Sequence, residues 1–183
     1  VDAQNRLHVG PKSAGSTPGP ACYGNGGTEP TVTDANLLLG RLNAAHFLGG
    51  EMQLDVAKAE AALLRHVAVP LGYAGPDAVT RAAQGVLTIA DLTMADAIKR
   101  ISITRGRDPR EFALFCYGGG GPLHGVQLAR ELHIPRVVVP PEPGNFSASG
   151  MLLADARLDT ARTYLANFDV ECVRGAAEKF TEI

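Results

Sequence analysis

The sequence lacks the features that mark several large classes of protein. Its 183 residues carry 17 Lys and Arg against 19 Asp and Glu, and aromatic residues make up only 5 %. A nucleic-acid interface usually needs a basic excess together with aromatic side chains, and neither half of that signature is present. The uncharged apolar runs are far shorter than a bilayer-spanning helix, and no signal peptide is visible. We therefore expect no nucleic-acid partner and no membrane span.

Cysteine and histidine are also sparse. The cysteines, Cys22, Cys116 and Cys172, are odd in number, lie far apart and lack the spacing of a metal site. The five histidines contain no i, i+4 pair, so a metal cluster built from histidines alone is not predicted. This cysteine usage leads us to expect a cytoplasmic protein.

The composition that is present indicates an ordinary globular segment. Hydrophobic residues make up 45 % of the chain and the net charge is −2. A chain of this length can bury about 70 % of its unfolded surface, so a real core is possible. We predict a single partial domain over residues 1–183, with a loop-rich segment at 1–34 and an α/β part at 35–183. Gly, Pro, Ser and Thr are dense from Gly10 to Pro30, which suits either a disordered linker or an ordered wrapping loop.

Apolar periodicity after this loop predicts alternating helices and strands. The first helix is expected to be capped by Thr33 or Asp34 and to end at Leu42. The remaining predicted elements are helices at Asp55–Val67 and Asp77–Arg105, a strand at Phe112–Tyr117, a helix at Pro122–Leu132, a strand at Arg136–Val139, a helix at Ser147–Arg157 and a final strand at Leu158–Leu165. The order indicates an α/β fold without internal repeats.

The most informative segment is the glycine run Gly118–Gly121, which follows an apolar strand and precedes Pro122 and a helix. Glycine allows backbone N–H groups to approach a ligand closely, and a helix N-terminus presents unpaired N–H groups to an anion. Proline suits the first turn of a helix, where its missing N–H costs nothing. The pattern predicts a site for a phosphate-bearing ligand.

Two other interpretations of the glycine run stay open. It could be a tight strand-to-helix crossover that uses glycine only for close packing. It could also be a variant dinucleotide loop, with Glu142 after the next strand as the ribose-binding acid, although the glycine spacing departs from that fingerprint. A Walker-type loop is excluded because Pro-Leu-His, and not Lys-Ser/Thr, follows Gly121.

Four motifs resemble the hydantoinase A/5-oxoprolinase family. They are the stretches 9–24 (VGPKSAGSTPGPACYG), 26–36 (GGTEPTVTDAN), 118–124 (GGGGPLH) and 143–150 (PGNFSASG), and they occur in the family's order. The resemblance runs from about Val9 to Tyr164 and favours an ordered loop at Gly10–Pro30. It implies part of an actin-like ATPase fold of the sugar kinase and heat-shock chaperone type.

The resemblance also implies a reaction. Such enzymes use ATP with Mg²⁺ to phosphorylate the carbonyl oxygen of a cyclic amide, such as a hydantoin or 5-oxoproline, before water opens the ring. Related members are ketone carboxylase subunits, and a hydantoinase B-type subunit or domain often takes part. Family members begin with an Asp-Val-Gly-Gly-Thr-like phosphate hairpin that these residues lack, so we expect an internal segment that is inactive alone and works with the remainder of a hydantoinase A chain.

The resemblance and the residues together give the candidate site. Gly118, Gly119, Gly120 and Gly121 are expected to contact the ribose and phosphates of ATP. Asp34 either caps its helix or lies in the catalytic cleft, where it could hold a metal or a water molecule. His124 lies in the first turn behind the glycines and could contact phosphate or substrate, ligate a metal, or simply bond a backbone group. A non-catalytic assembly module is the alternative function.

Overall fold

The computed structural model describes residues 1–161 and 163–181. It contains α1 (Val32–Leu38), α2 (Val56–Leu63), α3 (Ala78–Thr104), β1 (Ala113–Phe115), α4 (Gly121–Leu132), β2 (Arg136–Val138), α5 (Phe146–Leu153) and α6 (Val170–Thr181). Short 3₁₀ turns join several of these elements, and a wider π-type turn at Leu64–Ala68 continues α2. The predicted α/β class is confirmed. None of the described helices combines the length and apolar character that a membrane crossing requires.

The chain divides into two compact units, Val1–Phe146 and Ser147–Ile183. In the first unit, α1, α2 and α3 enclose an alanine-rich core with Leu63, Val67, Val86 and Leu87 at its centre. The tight approach of these helices follows from the small alanine side chains on their facing surfaces. In the second unit, the ring of Tyr164 lies against Gly175 of α6.

The strands β1 and β2 form a two-stranded parallel sheet with Phe115 opposite Val138, and α4 connects them. A two-stranded sheet is marginal by itself, so its stability depends on helix packing. That packing comes from a second core cluster, in which Leu128 and Leu132 of α4 meet Ala95 of α3. The glycine run therefore lies in a β–α–β unit that α3 supports.

Three element predictions need correction. The cap of α1 is Thr31, and α1 ends at Leu38 because Gly40 adopts φ +70° and the N–H groups of Gly40 and Arg41 bond back to Leu37 and Asn36. The helix α5 begins one residue early and ends at Leu153. The predicted strand at 158–165 is not formed by its described residues; Arg162 lies outside the described residues.

Candidate functional site

The glycine run forms an open turn between β1 and α4. Gly118 has φ +81°, a left-handed conformation that favours glycine, and its N–H donates to the Pro143 carbonyl at 2.7 Å. The helix α4 begins at Gly121 with Pro122 in its first turn, and no side chain caps this end. The first N–H groups of α4 therefore lack a side-chain acceptor, which is the arrangement that binds anions at helix starts.

The glycines at 118–120 are not needed for close packing. A Cβ atom added at Gly118, Gly119 or Gly120 would meet no atom within 4 Å. Gly125 differs, because a Cβ there would lie 2.6 Å from Cys116 Sγ and 3.3 Å from Val137 Cγ1, so these side chains would have to move. Close packing thus accounts for the glycine at position 125 but not for the glycines at 118–120.

Three aromatic rings stand beside the open turn. Phe115, Tyr117 and Phe146 contact one another with ring centroids 5.2–6.1 Å apart and tilted planes. Each ring belongs to a residue that is at least 37 % exposed, although rings of this size usually bury most of their surface. Because Tyr117 precedes Gly118 directly, the rings form an apolar wall at the entrance to the turn.

His124 forms a buried pair with Asp91 of α3. His124 Nδ1 lies 2.6 Å from Asp91 Oδ1, and the two residues are only 7 % and 6 % exposed. An ionised carboxylate can only accept, so Nδ1 carries the proton of this hydrogen bond. In the neutral ring, Nε2 is then a proton acceptor, and the backbone bond considered for His124 is replaced by a carboxylate bond.

Asp91 was missed at the level of sequence because it is polar. The apolar pattern predicted for α3 is buried as far as Ala90 but then follows Met94 and Ala97. The buried face continues instead through Asp91 and Ala95. Asp91 lies four residues after Leu87 and four residues before Ala95, which places all three on one face of the helix. This spacing is the signal in the sequence that could have revealed Asp91. A buried carboxylate requires a partner, and His124 provides it.

Asp34 fastens the loop that precedes α1. It is fully buried, and its two oxygens accept hydrogen bonds from the N–H groups of Ala21, Cys22 and Thr31 and from the Thr31 hydroxyl. Thr31 in turn accepts from the Asp34 N–H, which completes a capping box. Asp34 therefore ties residues 21–31 to the start of α1.

A metal would have to compete with these donors. Three of the four donors reach Asp34 Oδ2 and one reaches Oδ1, so Oδ2 has no lone pair left for a cation. Within the described residues, no three His, Cys, Asp or Glu side chains come together as metal ligands. The hydrogen bonds give Asp34 a structural role at the start of α1, and its catalytic and metal roles stay predictions. Gly118–Gly121 and His124 meet at the start of α4, while Asp34 lies in the first turn of α1.

Cys22 gives this loop a measurable pH dependence. Burial, together with the adjacent Asp34 carboxylate, raises the pKa of the Cys22 thiol from 9.0 to about 12. Between these two values the unfolded chain loses the thiol proton while the folded chain keeps it. The free energy of unfolding should therefore fall as the pH rises from about 9 to 12.

Thermal unfolding across this pH window tests the assignment. We expect Cys22→Ala to show a shallower alkaline decrease of Tm than the unmodified chain. Cys172→Ala, in a partly exposed position, is the matched control and should keep the full slope. Equal slopes for Cys22→Ala and the unmodified chain would contradict the raised pKa.

Comparisons with known proteins agree with the motifs. Residues 1–160 match the model of the hydantoinase/oxoprolinase family. The caprolactamase subunit alpha of Pseudomonas jessenii is 44 % identical over 173 residues, covering 94 % of this chain and 24 % of that protein. The acetophenone carboxylase gamma subunit of Aromatoleum aromaticum is 47 % identical over 150 residues, covering 82 % of this chain and 20 % of that protein.

A solved structure is similar over the whole chain. The crystal structure of the ATP-dependent caprolactamase from Pseudomonas jessenii matches with a TM-score of 0.76 and 40 % identity, covering 100 % of this chain and 26 % of that chain. The chain thus spans a fifth to a quarter of the length of these relatives. With a family match over residues 1–160 and relatives of this identity, the resemblance is confirmed, and the chain belongs to the hydantoinase/oxoprolinase family.

Proposed function

We propose that this chain is the nucleotide-binding segment of an ATP-dependent hydrolase that opens cyclic amides. The observation that carries the proposal is the open turn at Gly118–Gly120, which lies before the uncapped start of α4 in a member of this family. A turn without side chains, at the carboxyl end of a parallel strand, is where α/β proteins bind ligands. The similar caprolactamase is described as ATP-dependent.

ATP fits this junction by its chemistry. The phosphate oxygens would accept hydrogen bonds from backbone N–H groups at Gly119–Gly121 and interact with the positive end of the α4 dipole. The exposed ring of Tyr117 offers a stacking surface to the base. Mg²⁺ would bind together with the phosphates of ATP and neutralise their charge.

Within this proposal the reaction balances as a coupled hydrolysis. The γ-phosphoryl group moves from ATP to the carbonyl oxygen of the cyclic amide, water attacks the carbonyl carbon, the ring C–N bond breaks, and phosphate leaves. The products are ADP, phosphate and the ring-opened amine and acid. His124 is the candidate acceptor for the proton of the attacking water, because the Asp91 bond leaves Nε2 as its accepting nitrogen.

The wider setting is also part of the proposal. The segment would belong to an actin-like ATPase fold, work in the cytoplasm with the remainder of a hydantoinase A chain, and act beside a hydantoinase B-type subunit. A ketone carboxylase subunit is the closest alternative chemistry, because the similar acetophenone carboxylase gamma subunit covers 82 % of this chain.

Calorimetry with MgATP tests the nucleotide site. We expect saturable binding to the 183-residue chain and at least about tenfold weaker binding by Gly120→Val, because a branched side chain would occupy the open turn. Gly120 suits the test since its φ of −98° is accessible to valine, unlike that of Gly118.

The control places the same substitution where no ligand is expected. Gly150→Val, at an equally open position in α5, should bind MgATP like the unmodified chain. Unchanged affinity in Gly120→Val, with both variants folded by circular dichroism, would overturn the assignment of the site.

A second candidate function is an assembly module. Met151, Leu152 and Leu153 are consecutive apolar residues that are 79–88 % exposed, which favours docking of α5 against another surface. In that case the chain would bind a partner and no nucleotide. The same calorimetry distinguishes the two functions, because an absence of saturable MgATP binding leaves docking as the better account.

A further inference from the structure

A cavity lies between the loop before α1 and the helix α2. Its volume is about 350 Å³, within the usual size of small-molecule sites. One wall is the glycine loop with Gly24, Gly26 and Gly27, and the other is a face of α2 and the π-type turn that continues it. None of these residues takes part in the junction at Gly118–Gly121.

The loop wall is held firmly in place. A Cβ at Gly27 would overlap the Gly19 and Pro20 carbonyls, so the chain crosses itself closely there. Asp34 binds the same loop through the N–H groups of Ala21 and Cys22. A preorganised backbone wall of this kind reduces the ordering cost of binding a ligand.

The helix wall presents small residues between two cations. Lys58, Ala61, Ala62 and Arg65 follow the i, i+3, i+4, i+7 spacing of one helix face, and all four line the cavity. The alanines leave the space open, and the ends of this face are about 10 Å apart along the helix. Larger side chains at 61 and 62 would fill the cavity.

The lining charges have one sign. Lys58, Arg65 and His66 line the cavity, and the described lining residues include no carboxylate. Lys58 Nζ reaches the loop and lies 3.3 Å from the point where a Cβ atom at Gly24 would stand. It also forms an ion pair with Asp55 Oδ2 at 3.4 Å. Among the described residues, the side chain of Arg65 forms no hydrogen bond or ion pair, so its guanidinium group is available to a ligand.

We propose that this cavity binds a small phosphate-bearing molecule. A ligand with a single carboxylate would bring only one negative charge to the two permanent cations and the imidazole. A phosphoryl group brings close to two negative charges and three acceptor oxygens. The glycines at 24, 26 and 27 allow close approach of those oxygens. The site goes beyond the proposed function, because it is built from other residues than the ATP-binding turn.

Titration of the 183-residue chain with inorganic pyrophosphate, followed by calorimetry at low ionic strength, tests the proposal. We expect saturable binding that Arg65→Gln weakens at least about tenfold through loss of a charge-assisted bond. Ala61→Leu should abolish it without changing charge, by filling the cavity at an exposed helical position. Acetate should bind far more weakly than pyrophosphate.

The controls separate this site from general charge and from the turn. Arg130→Gln, which removes another exposed helical arginine, should leave pyrophosphate affinity unchanged. In a Gly120→Val background, where the turn is blocked, saturable pyrophosphate binding should persist and should still be weakened by Arg65→Gln. Equal weakening by Arg65→Gln and Arg130→Gln, unchanged binding by a folded Ala61→Leu variant, no effect of Arg65→Gln in the Gly120→Val background, acetate binding as tight as pyrophosphate, or no saturable binding would each overturn the proposal.

Discussion

Replacing Asp34 with asparagine should lower the free energy of unfolding by at least about 3 kcal/mol. The carboxylate is fully buried and receives four hydrogen bonds from the loop and from Thr31. Asparagine keeps the shape but loses the charge, and its NH₂ group would face N–H donors. Buried donors would be left unpaired, which is the costly way to lose a hydrogen bond.

The same substitution at Asp55 is the matched control. Asp55 caps α2 by accepting from the Lys58 N–H at 3.0 Å, and it is partly exposed. Asparagine caps helices about as well as aspartate, so we expect a change within about 0.5 kcal/mol. Urea unfolding of both variants makes the comparison. A similar small loss for Asp34→Asn would mean that the Asp34 bonds do not hold the loop.

The Asp91–His124 pair should show strong coupling in a double-mutant cycle. We expect Asp91→Ala and His124→Ala each to cost about 2–4 kcal/mol, because each leaves a buried polar partner without its bond. The double variant leaves no buried polar group without its partner. Its loss in free energy of unfolding should therefore be smaller than the sum of the two single losses, by about 1–3 kcal/mol. Chemical denaturation of the four proteins gives these values.

A second pair between the same two helices provides the control cycle. Lys99 of α3 and Glu131 of α4 lie 3.4 Å apart with side chains 42 % exposed, so solvent screens their attraction. We expect a coupling below about 1 kcal/mol there. Strictly additive costs at Asp91 and His124, or equal coupling in both cycles, would contradict the buried bond.

Local signals made most of the first unit predictable. The long helix was expected at Asp77–Arg105 and lies at Ala78–Thr104, because its apolar repeat is long and Gly106 and Pro109 follow it. The helix behind the glycines was predicted from Pro122 and begins at Gly121. In these segments, propensity, periodicity and end signals all favour the same element.

Features that depend on distant contacts were not predictable in the same way. Asp91 looks like a surface residue until His124, 33 positions later, is brought against it. The cavity at Lys58 and Arg65 needs the loop at Gly24–Gly27 as its second wall. No element was predicted where α6 lies. The strand predicted at 158–165 is not formed by its described residues, because the short apolar pattern there is ambiguous between helix and strand.

The central claim is that the turn at Gly118–Gly121 binds ATP, and amide chemical-shift mapping tests it most directly. Two-dimensional ¹H–¹⁵N spectra of the 183-residue chain would be recorded during titration with MgATP. We predict saturable shifts at the amides of Gly119, Gly120 and Gly121 and in the first turn of α4, with no comparable change at Gly150. Shifts that avoid these amides, or their absence at saturating MgATP, would contradict the account.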